Sequence, residues 1–595
     1  MIKNLSYKTL LVCYLFITVT AFWYYPRWEQ SRTEATIGWD VSGYYMYLPA
    51  FFIYQDPLQC SFRDSVIAKY YPTPDFHQAF RHEKSGNFVM KYASGQALMM
   101  SPFFFVGHIW AQQSGVYPAD GFSFPYQAAI GIGMFLYAFL GLFMLRKVLL
   151  AFFSDRTVAI TLVAFVFGSN YLNYSSIDQG MTHSPLFTVY TLLLYAVIQF
   201  YKKPGIGSAL SIGALCGLAT LTRPSEIVSL ILPLAWGIVR WSDVKHRGRF
   251  LVQHSGLIIA AAFLFIMVAG IQLVYWKYAT GEWFVFSYQD QGFNWLHPHG
   301  LDFMFSYKCG WLVYSPMLLF AFIGIPAFFM RRENTWAILG FFLFNFYVVS
   351  AWSMWDYGGT AGRAMVQSYP ILAFLVAALV EQVHRKKWRL WLFYPFFLLF
   401  LYVNIWWTHN AHRGEVTILG VTNRYYWRVI GKWSLSEADK KLLDNKYSYD
   451  GEPATFEVLY ENNFETDSSK NVIVLPEGKK IQIGGPYEFT QEYIIPRSAA
   501  FKKWVRVFAD IHCHDKEWDV WRQTQFVLRF YDKDQVAQTN FLRVQRYFET
   551  GEHRIFYLDA KLPRKDWDRI GIHFWNPGTD KLLSIDNLKV ITFDL

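Results

Sequence analysis

Twelve mostly apolar runs, each close to the length a membrane-crossing helix needs, fill the first 408 positions, and the charges between them restrict how they can be threaded. The runs are 9–25, 97–113, 126–145, 157–175, 183–201, 206–222, 224–240, 253–276, 311–330, 335–353, 365–383 and 388–408. Basic residues gather at particular points: Lys3 and Lys8; Arg146, Lys147 and Arg156; Lys202 and Lys203; Arg240, Lys245, Arg247 and Arg249; Arg331 and Arg332; Arg385, Lys386, Lys387 and Arg389. The bias of Lys and Arg toward cytoplasmic loops assigns all of these groups to one side. Twelve crossings violate that assignment, because a crossing at 97–113 would separate Lys3 and Lys8 from every later group. The same run is interrupted by Ser101-Pro102, Gly107-His108 and Gln112-Gln113, and the loop after it lacks Lys and Arg. It is expected to lie against the membrane or re-enter it. Eleven spans then remain, with the N-terminus inside and the C-terminus outside.

The chain is 53% apolar and 20% aromatic over 595 residues, too greasy for an ordinary soluble protein. Its net charge of +10 is mostly the loop bias just described, so no nucleic-acid partner is implied. The first run resembles a signal peptide, but bulky Phe22-Trp23-Tyr24-Tyr25 follows it and the charge pattern works only if it stays as the first span. Five cysteines give no disulfide framework, and Cys60 and Cys309 in outer loops are expected to be free thiols.

After residue 408 the pattern changes to two-residue alternation, as in 504–511 and 525–531, with further runs at 554–558, 569–575 and 588–594. Turn-like segments separate them. The expected architecture is a polytopic α-helical membrane domain over 1–408, including a first outer loop at 26–125, then a connector at 409–445 with a short helix near Leu435–Leu443. An antiparallel, jelly-roll-like β-sandwich over 446–595 completes it. Trp504, Trp518, Trp521 and Trp575 offer stacking faces there, but strand aromatics are usually core, so no site is assigned to them.

On this threading the outer segments are 26–125, 176–182, the 222–224 corner, 277–310, 354–364 and everything after 408. They hold Asp40, Lys91, Asp178, His183, Arg223, Tyr288, His297, His299, Asp356 and Arg363, whereas the inner loops hold little beyond basic anchors. Asp40 is the sharpest of them. Between Trp39 and Ser42-Gly43-Tyr44-Tyr45, it is an acid among aromatics at the edge of a bilayer, a costly placement that marks a site. The competing role is a cap on the helix starting near Ser42. Arg363 follows Gly358-Gly359 and Gly362, where the backbone can bend round a ligand, and Asp356 is placed to pair with it.

The order of these residues resembles the glycosyltransferase C superfamily, including protein O-mannosyltransferases and aminoarabinose transferases. The stretches that carry the resemblance are Asp40, Lys91-Tyr92-Ala93-Ser94-Gly95, Phe286 to Phe293, Phe305-Ser306, Gly310-Trp311 to Ser315-Pro316, and Trp355 to Arg363, within roughly residues 1–408. The resemblance implies a polyprenyl-phosphate-linked sugar donor, inverting transfer on the periplasmic side of the bacterial inner membrane, and Asp40 as the general base. It implies Lys91, Arg223 and Arg363 as donor-phosphate ligands, with Arg223 where relatives commonly carry Lys. Asp178, His183, Tyr288 and Asp356 are the expected substrate-binding residues. A carboxylate within reach of the attacking hydroxyl can take its proton, and fixed cations stabilise the phosphate that leaves.

No cofactor is expected, and no metal, since Asp40, Asp178, His297 and His299 lack compact ligand spacing. Two other classes fit parts of the pattern: a transporter or flippase of a lipid-linked or small solute, and a membrane-anchored carbohydrate-binding protein. The first calls for polar residues deep in the spans and repeat symmetry. The second needs only one or two spans. The sugar, the acceptor (protein, lipid or polysaccharide) and the oligomeric state are not specified by the sequence.

Overall fold

The computed structural model describes residues 4–74, 78–417, 421–476, 478–514, 524–548, 551–578 and 581–595. Lys3, Trp518 and Trp521 lie outside the described residues. The chain divides into two compact units, Met1–His409 and Asn410–Leu595.

The first unit is helical. Among the described residues six helices are long and apolar enough to cross a membrane: Leu5–Glu29, Phe124–Leu149, His183–Lys202, Ser255–Thr280, Arg363–Val383 and Lys387–His412. Shorter apolar helices among the described residues are Ile206–Thr222, Pro224–Ala235, Pro316–Arg331 and Thr335–Ala351. The run at 157–175, expected to be one span, is two helices, Asp155–Gly168 and Tyr171–Ser176. Ser154 caps the first by accepting from the Thr157 amide, and the first ends where Ser169 turns extended. A break inside an apolar unit leaves carbonyls that must find donors. Asn404 supplies them: its Nδ2 donates to the Phe167 and Ser169 carbonyls at 2.9 and 3.0 Å. Asn170 is held in turn by the Tyr369 hydroxyl at 2.6 Å and donates to the Ala361 carbonyl at 2.9 Å.

The basic groups meet at one end of this unit. Arg146 donates to Ser6 Oγ at 2.8 Å, and the Ser6 amide donates to Asp155, so the start of the first helix, the end of the Phe124–Leu149 helix and the start of the Asp155–Gly168 helix converge. Arg331 pairs with Glu381 and donates to the Phe152 carbonyl at 2.7 Å. Arg247 lies 3.9 Å over the Tyr201 ring, beside Lys202. The Gly95–Ser114 helix, which covers the 97–113 run, stays away from that end. Its Gly95 abuts Thr222, and its contacts with the Phe124–Leu149 helix run from Gly107 against Tyr126 to the Met99 carbonyl under the Tyr137 hydroxyl.

The second unit is an antiparallel sandwich. One sheet runs in the order His553–Lys561, Trp504–Cys513, Leu583–Phe593, Gly478–Ile483, Val472–Leu475, with Phe456–Asn462 also paired to Leu583–Phe593. The other runs Tyr493–Pro496, Arg569–Trp575, Gln525–Asp532, Gln535–Arg543. Alternate side chains such as Val505, Val507, Phe526, Phe530, Ile570 and Ile572 fill the core. A buried Arg506–Asp559 pair at 2.7 Å crosses adjacent strands. The last strand begins at Leu583, five residues before the expected run at 588, because a bulge between Asp586 and Lys589 interrupts the alternation without ending the pairing. Near 435–443 the helix is one short turn, Glu437–Lys440, closed by a Ser436–Asp439 capping box.

Candidate active site

Asp40 is placed by a constrained turn. Trp39 sits at φ 48°, a left-handed conformation that costs a side-chain-bearing residue roughly 1–3 kcal/mol, and its backbone is pinned on both sides. Its amide donates to the Pro72 carbonyl at 2.9 Å, and its carbonyl accepts from Gln78 Nε2 at 2.9 Å and from Ser42 Oγ at 2.7 Å. Asp40 is the first residue of the helix Asp40–Tyr45, whose N-cap, Trp39, makes no side-chain cap bond. The Asp40 carboxylate points instead to two distant residues. Tyr92 donates its hydroxyl to Oδ1 at 2.9 Å, and Arg363 Nη2 donates to Oδ2 at 2.9 Å.

A short hairpin, Ala79–Arg81 with Phe88–Met90, carries Lys91 and Tyr92 back to this helix. The Lys91 amide donates to the Gln78 carbonyl at 2.9 Å, which ties the hairpin to the side chain holding Trp39. Gly43 is required where the two meet, since a Cβ there would lie 2.5 Å from the Tyr92 ring. Gly95 is required one step further on, where a Cβ would lie 2.4 Å from the Thr222 amide. That close approach brings Arg223, at the end of the Ile206–Thr222 helix, into the same region.

Arg223 and Lys91 form no ion pair with a carboxylate among the described residues. The Arg223 guanidinium acts on the Tyr44 hydroxyl, and its Nη2 lies 3.4 Å from His183 Nε2. Lys91 Nζ lies 5.9 Å from the ring centres of both Tyr92 and Tyr288. The Ser287 hydroxyl donates to the Lys91 carbonyl at 2.7 Å, so the 277–310 loop packs on this segment, with Tyr288 edge-on to Tyr92 at 6.0 Å. Tyr44 is the common neighbour: Asp40, Arg223 and Arg363 all act on its hydroxyl.

Burial would raise the Asp40 carboxyl, but the Arg363 guanidinium, the Tyr92 hydroxyl and Lys91 outweigh it and hold the group below the usual carboxylate range. Burial first, then the Asp40 charge, push Tyr92 far the other way, so it remains a proton donor to the carboxylate. The site thus contains one carboxylate held toward its ionised form, two cations that make no ion pair with a carboxylate among the described residues, and a third cation paired with the carboxylate.

Arg363 owes its position to two glycines in left-handed conformations, Gly359 at φ 99° and Gly362 at φ 69°. A Cβ on Gly362 would lie 2.3 Å from Trp311. The Arg363 guanidinium also lies 4.4 Å over the Tyr357 ring, and its buried Nε has no hydrogen-bond partner among the described residues. Asp356 does not pair with it as expected. Lys308 takes Asp356 at 2.5 Å, because Arg363 is drawn to a carboxylate 323 positions away rather than the one in its own loop.

The remaining expected residues divide. His183 stands in the cluster, beside Arg223 and against the Tyr174 ring at 4.5 Å. Asp178 does not meet Asp40: it is paired with Arg27 and accepts from Asn173 at 2.8 Å. His297 and His299 are not brought into the Asp40 cluster either, and His299 stacks near Trp355 at 6.0 Å. Cys60 and Cys309 are free and buried. Among the described residues no group of three His, Cys, Asp or Glu side chains is arranged round a common metal position.

Several residues of the site escaped the sequence reading. Tyr92 carries no expected role in the sequence, although a tyrosine next to a lysine in an outer loop is a ready carboxylate partner. Tyr44 and Tyr174 gave no signal apart from the many other tyrosines. Behind His183 lies a buried set in which Gln367 Nε2 donates to Glu226 at 2.9 Å and Tyr190 donates to its other oxygen at 2.5 Å.

No family model and no curated protein matches the chain. Among solved structures, that of the Archaeoglobus fulgidus oligosaccharyltransferase in the apo form is similar, with a TM-score of 0.41 and 13% identity. The match covers 76% of this chain and 62% of that one, so this chain spans under two thirds of its length.

Proposed function

We propose that this chain is an integral membrane glycosyltransferase that moves a sugar from a polyprenyl-phosphate donor to an acceptor on the periplasmic side of the bacterial inner membrane, with inversion. The observation that carries the reading is the grouping of Asp40, held toward its ionised form, with Lys91 and Arg223, two cations that make no ion pair with a carboxylate among the described residues. A buried cation without a partner is costly, and an anionic ligand relieves that cost. The donor phosphate is that ligand.

In the proposed step the acceptor hydroxyl oxygen attacks the anomeric carbon as the bond from that carbon to the phosphate oxygen breaks. The hydroxyl proton goes to Asp40, and the electron pair leaves with the phosphate, whose new charge Lys91 and Arg223 stabilise. One base and no enzymic nucleophile give a single displacement, hence inversion. Arg363 takes a double role in place of a simple phosphate ligand. It holds Asp40 ionised and aimed at 2.9 Å, and its unpartnered Nε is a spare donor for the phosphate. Tyr92 fixes the other carboxylate oxygen. His183 and Tyr288 border the site and are proposed to contact substrate, whereas Asp178 and Asp356 act by bracing their loops.

The proposed topology has eleven spans over residues 1–408, with the basic end of the helical unit in the cytoplasm and the connector and sandwich outside. Purified full-length protein, given a labelled polyprenyl-phosphate sugar and an envelope extract as acceptor source, is expected to transfer label, and Asp40→Asn is expected to abolish transfer. Label that crosses a sealed bilayer without changing bonds would establish the transporter reading instead. Sugar binding that survives removal of the helical residues would establish the binding-protein reading.

A further inference from the structure

The sandwich carries a group of imidazoles that the proposed transfer does not use. His512 lies on the strand Trp504–Cys513, and His514 follows just past its end, so both leave the same face. His553 stands directly opposite His512 in the register of the neighbouring strand. The His512 ring centre is 4.0 Å from that of His514 and 5.5 Å from that of His553. Asp510, two residues before His512, lies 2.6 Å from His553 Nε2, and Asp586 faces Asp510 across the other strand pair. His514 Nε2 meets Ser584 Oγ at 2.6 Å. Cys513 between the two histidines turns into the core and takes no part.

We propose that His512, His514 and His553 form a binding site for a divalent transition-metal ion of the Zn²⁺ class on the outer face of this sheet. Imidazole nitrogens suit such ions, and two nitrogens bound to one Zn²⁺ at about 2.0–2.1 Å each need side chains as close as these. As placed, no three ligands among the described residues share a centre, so binding requires the rings to turn about their side-chain bonds. Asp510 Oδ1 lies 2.6 Å from Nε2 of His553, on the side away from its other ring nitrogen, which is left for the ion. His512 lies between the other two rings, within ring-contact distance of both. Lys480 nearby opposes a cation, and Asp510 and Asp586 offset it. The bound ion ties the ends of two adjacent strands together.

The test uses the full-length chain in detergent micelles, with Zn²⁺ competed against a chromogenic chelator. One ion per chain is expected, with His512→Ala and His553→Ala each weakening binding by at least about tenfold and Asp510→Asn by less. Zn²⁺ is expected to raise the unfolding midpoint of the native chain and not that of His512→Ala. His553 is half exposed, so His553→Gln provides a variant that keeps the fold even if His512→Ala does not. Equal Zn²⁺ affinity in native and variant chains would overturn the proposal. So would Ca²⁺ binding as tightly as Zn²⁺, which would mean a site made of carboxylates.

Discussion

Asp40 and Arg363 form the pair on which the site depends, and substituting them singly and together separates what they do for folding from what they do for chemistry. Their side chains are 25% and 17% exposed and meet at 2.9 Å. At an effective dielectric of about 20 their gross attraction is roughly 6 kcal/mol, most of which desolvation cancels. Asp40→Asn leaves Arg363 as a third cation beside Lys91 and Arg223, and Arg363→Gln leaves the carboxylate with Tyr92 and Lys91 alone. Either change is expected to cost about 2–4 kcal/mol, somewhat less than the 3–5 typical of a fully buried broken pair. The double variant is expected to cost less than the sum, with a coupling of about 1–3 kcal/mol. Reversible unfolding in mixed micelles, followed by tryptophan fluorescence, measures this cycle. Transfer activity is expected to behave differently: Asp40→Asn loses about 10²–10⁴-fold and the double variant does not recover. Additive stability losses would refute the pairing. A folded Asp40→Asn chain with activity within tenfold of native would refute the role of Asp40.

Other outcomes follow from the same geometry. Because the folded Asp40 carboxyl is held below its ordinary value of about 3.9, its contribution to stability is present above that value and is lost only as pH falls through the folded value. Transfer assayed by pH profile is therefore expected to stay flat down to about pH 4, and an acid limb near neutrality would contradict this. Lys91→Met and Arg223→Met are expected to raise the donor KM and lower kcat by about 10²–10³-fold in steady-state transfer assays, with little change in acceptor KM. Gly43→Ala forces a Cβ to within 2.5 Å of the Tyr92 ring, and is expected to cost about 1–3 kcal/mol and to depress activity by displacing the hydroxyl from Asp40. Asn404→Leu strips the donors from the Phe167 and Ser169 carbonyls, and a loss of about 1–3 kcal/mol in the same unfolding assay is expected.

What the sequence revealed depended on how local the determining interaction was. The strand Trp504–Cys513 was legible because its alternation is local: Val505, Val507, Ala509, Ile511 and Cys513 are buried, while Trp504, Phe508, Asp510 and His512 are less so. The break at Ser169–Asn170 was invisible because its apolar surroundings read as one run, and the donors that make the break tolerable come from Asn404, 235 positions later. The loop 354–364 shows the same limit at the site. Asp356 and Arg363 are close in sequence, but Lys308 and Asp40 are their partners, and nothing local in either residue distinguishes the near pairing from the distant one. Asp40 itself stood out because an acid between aromatics at a bilayer edge is expensive wherever its partners are. Tyr92 and Tyr44 were illegible for the opposite reason: in a chain with 39 tyrosines, residue type alone carries little information.

The most direct test of the central claim is a structure of the full-length chain with a non-hydrolysable polyprenyl-phosphate sugar bound. The account predicts the phosphate between Lys91 and Arg223, with an Asp40 oxygen within about 3 Å of where an acceptor hydroxyl meets the anomeric carbon. A phosphate held anywhere else, or a sugar carbon out of reach of Asp40, would contradict it.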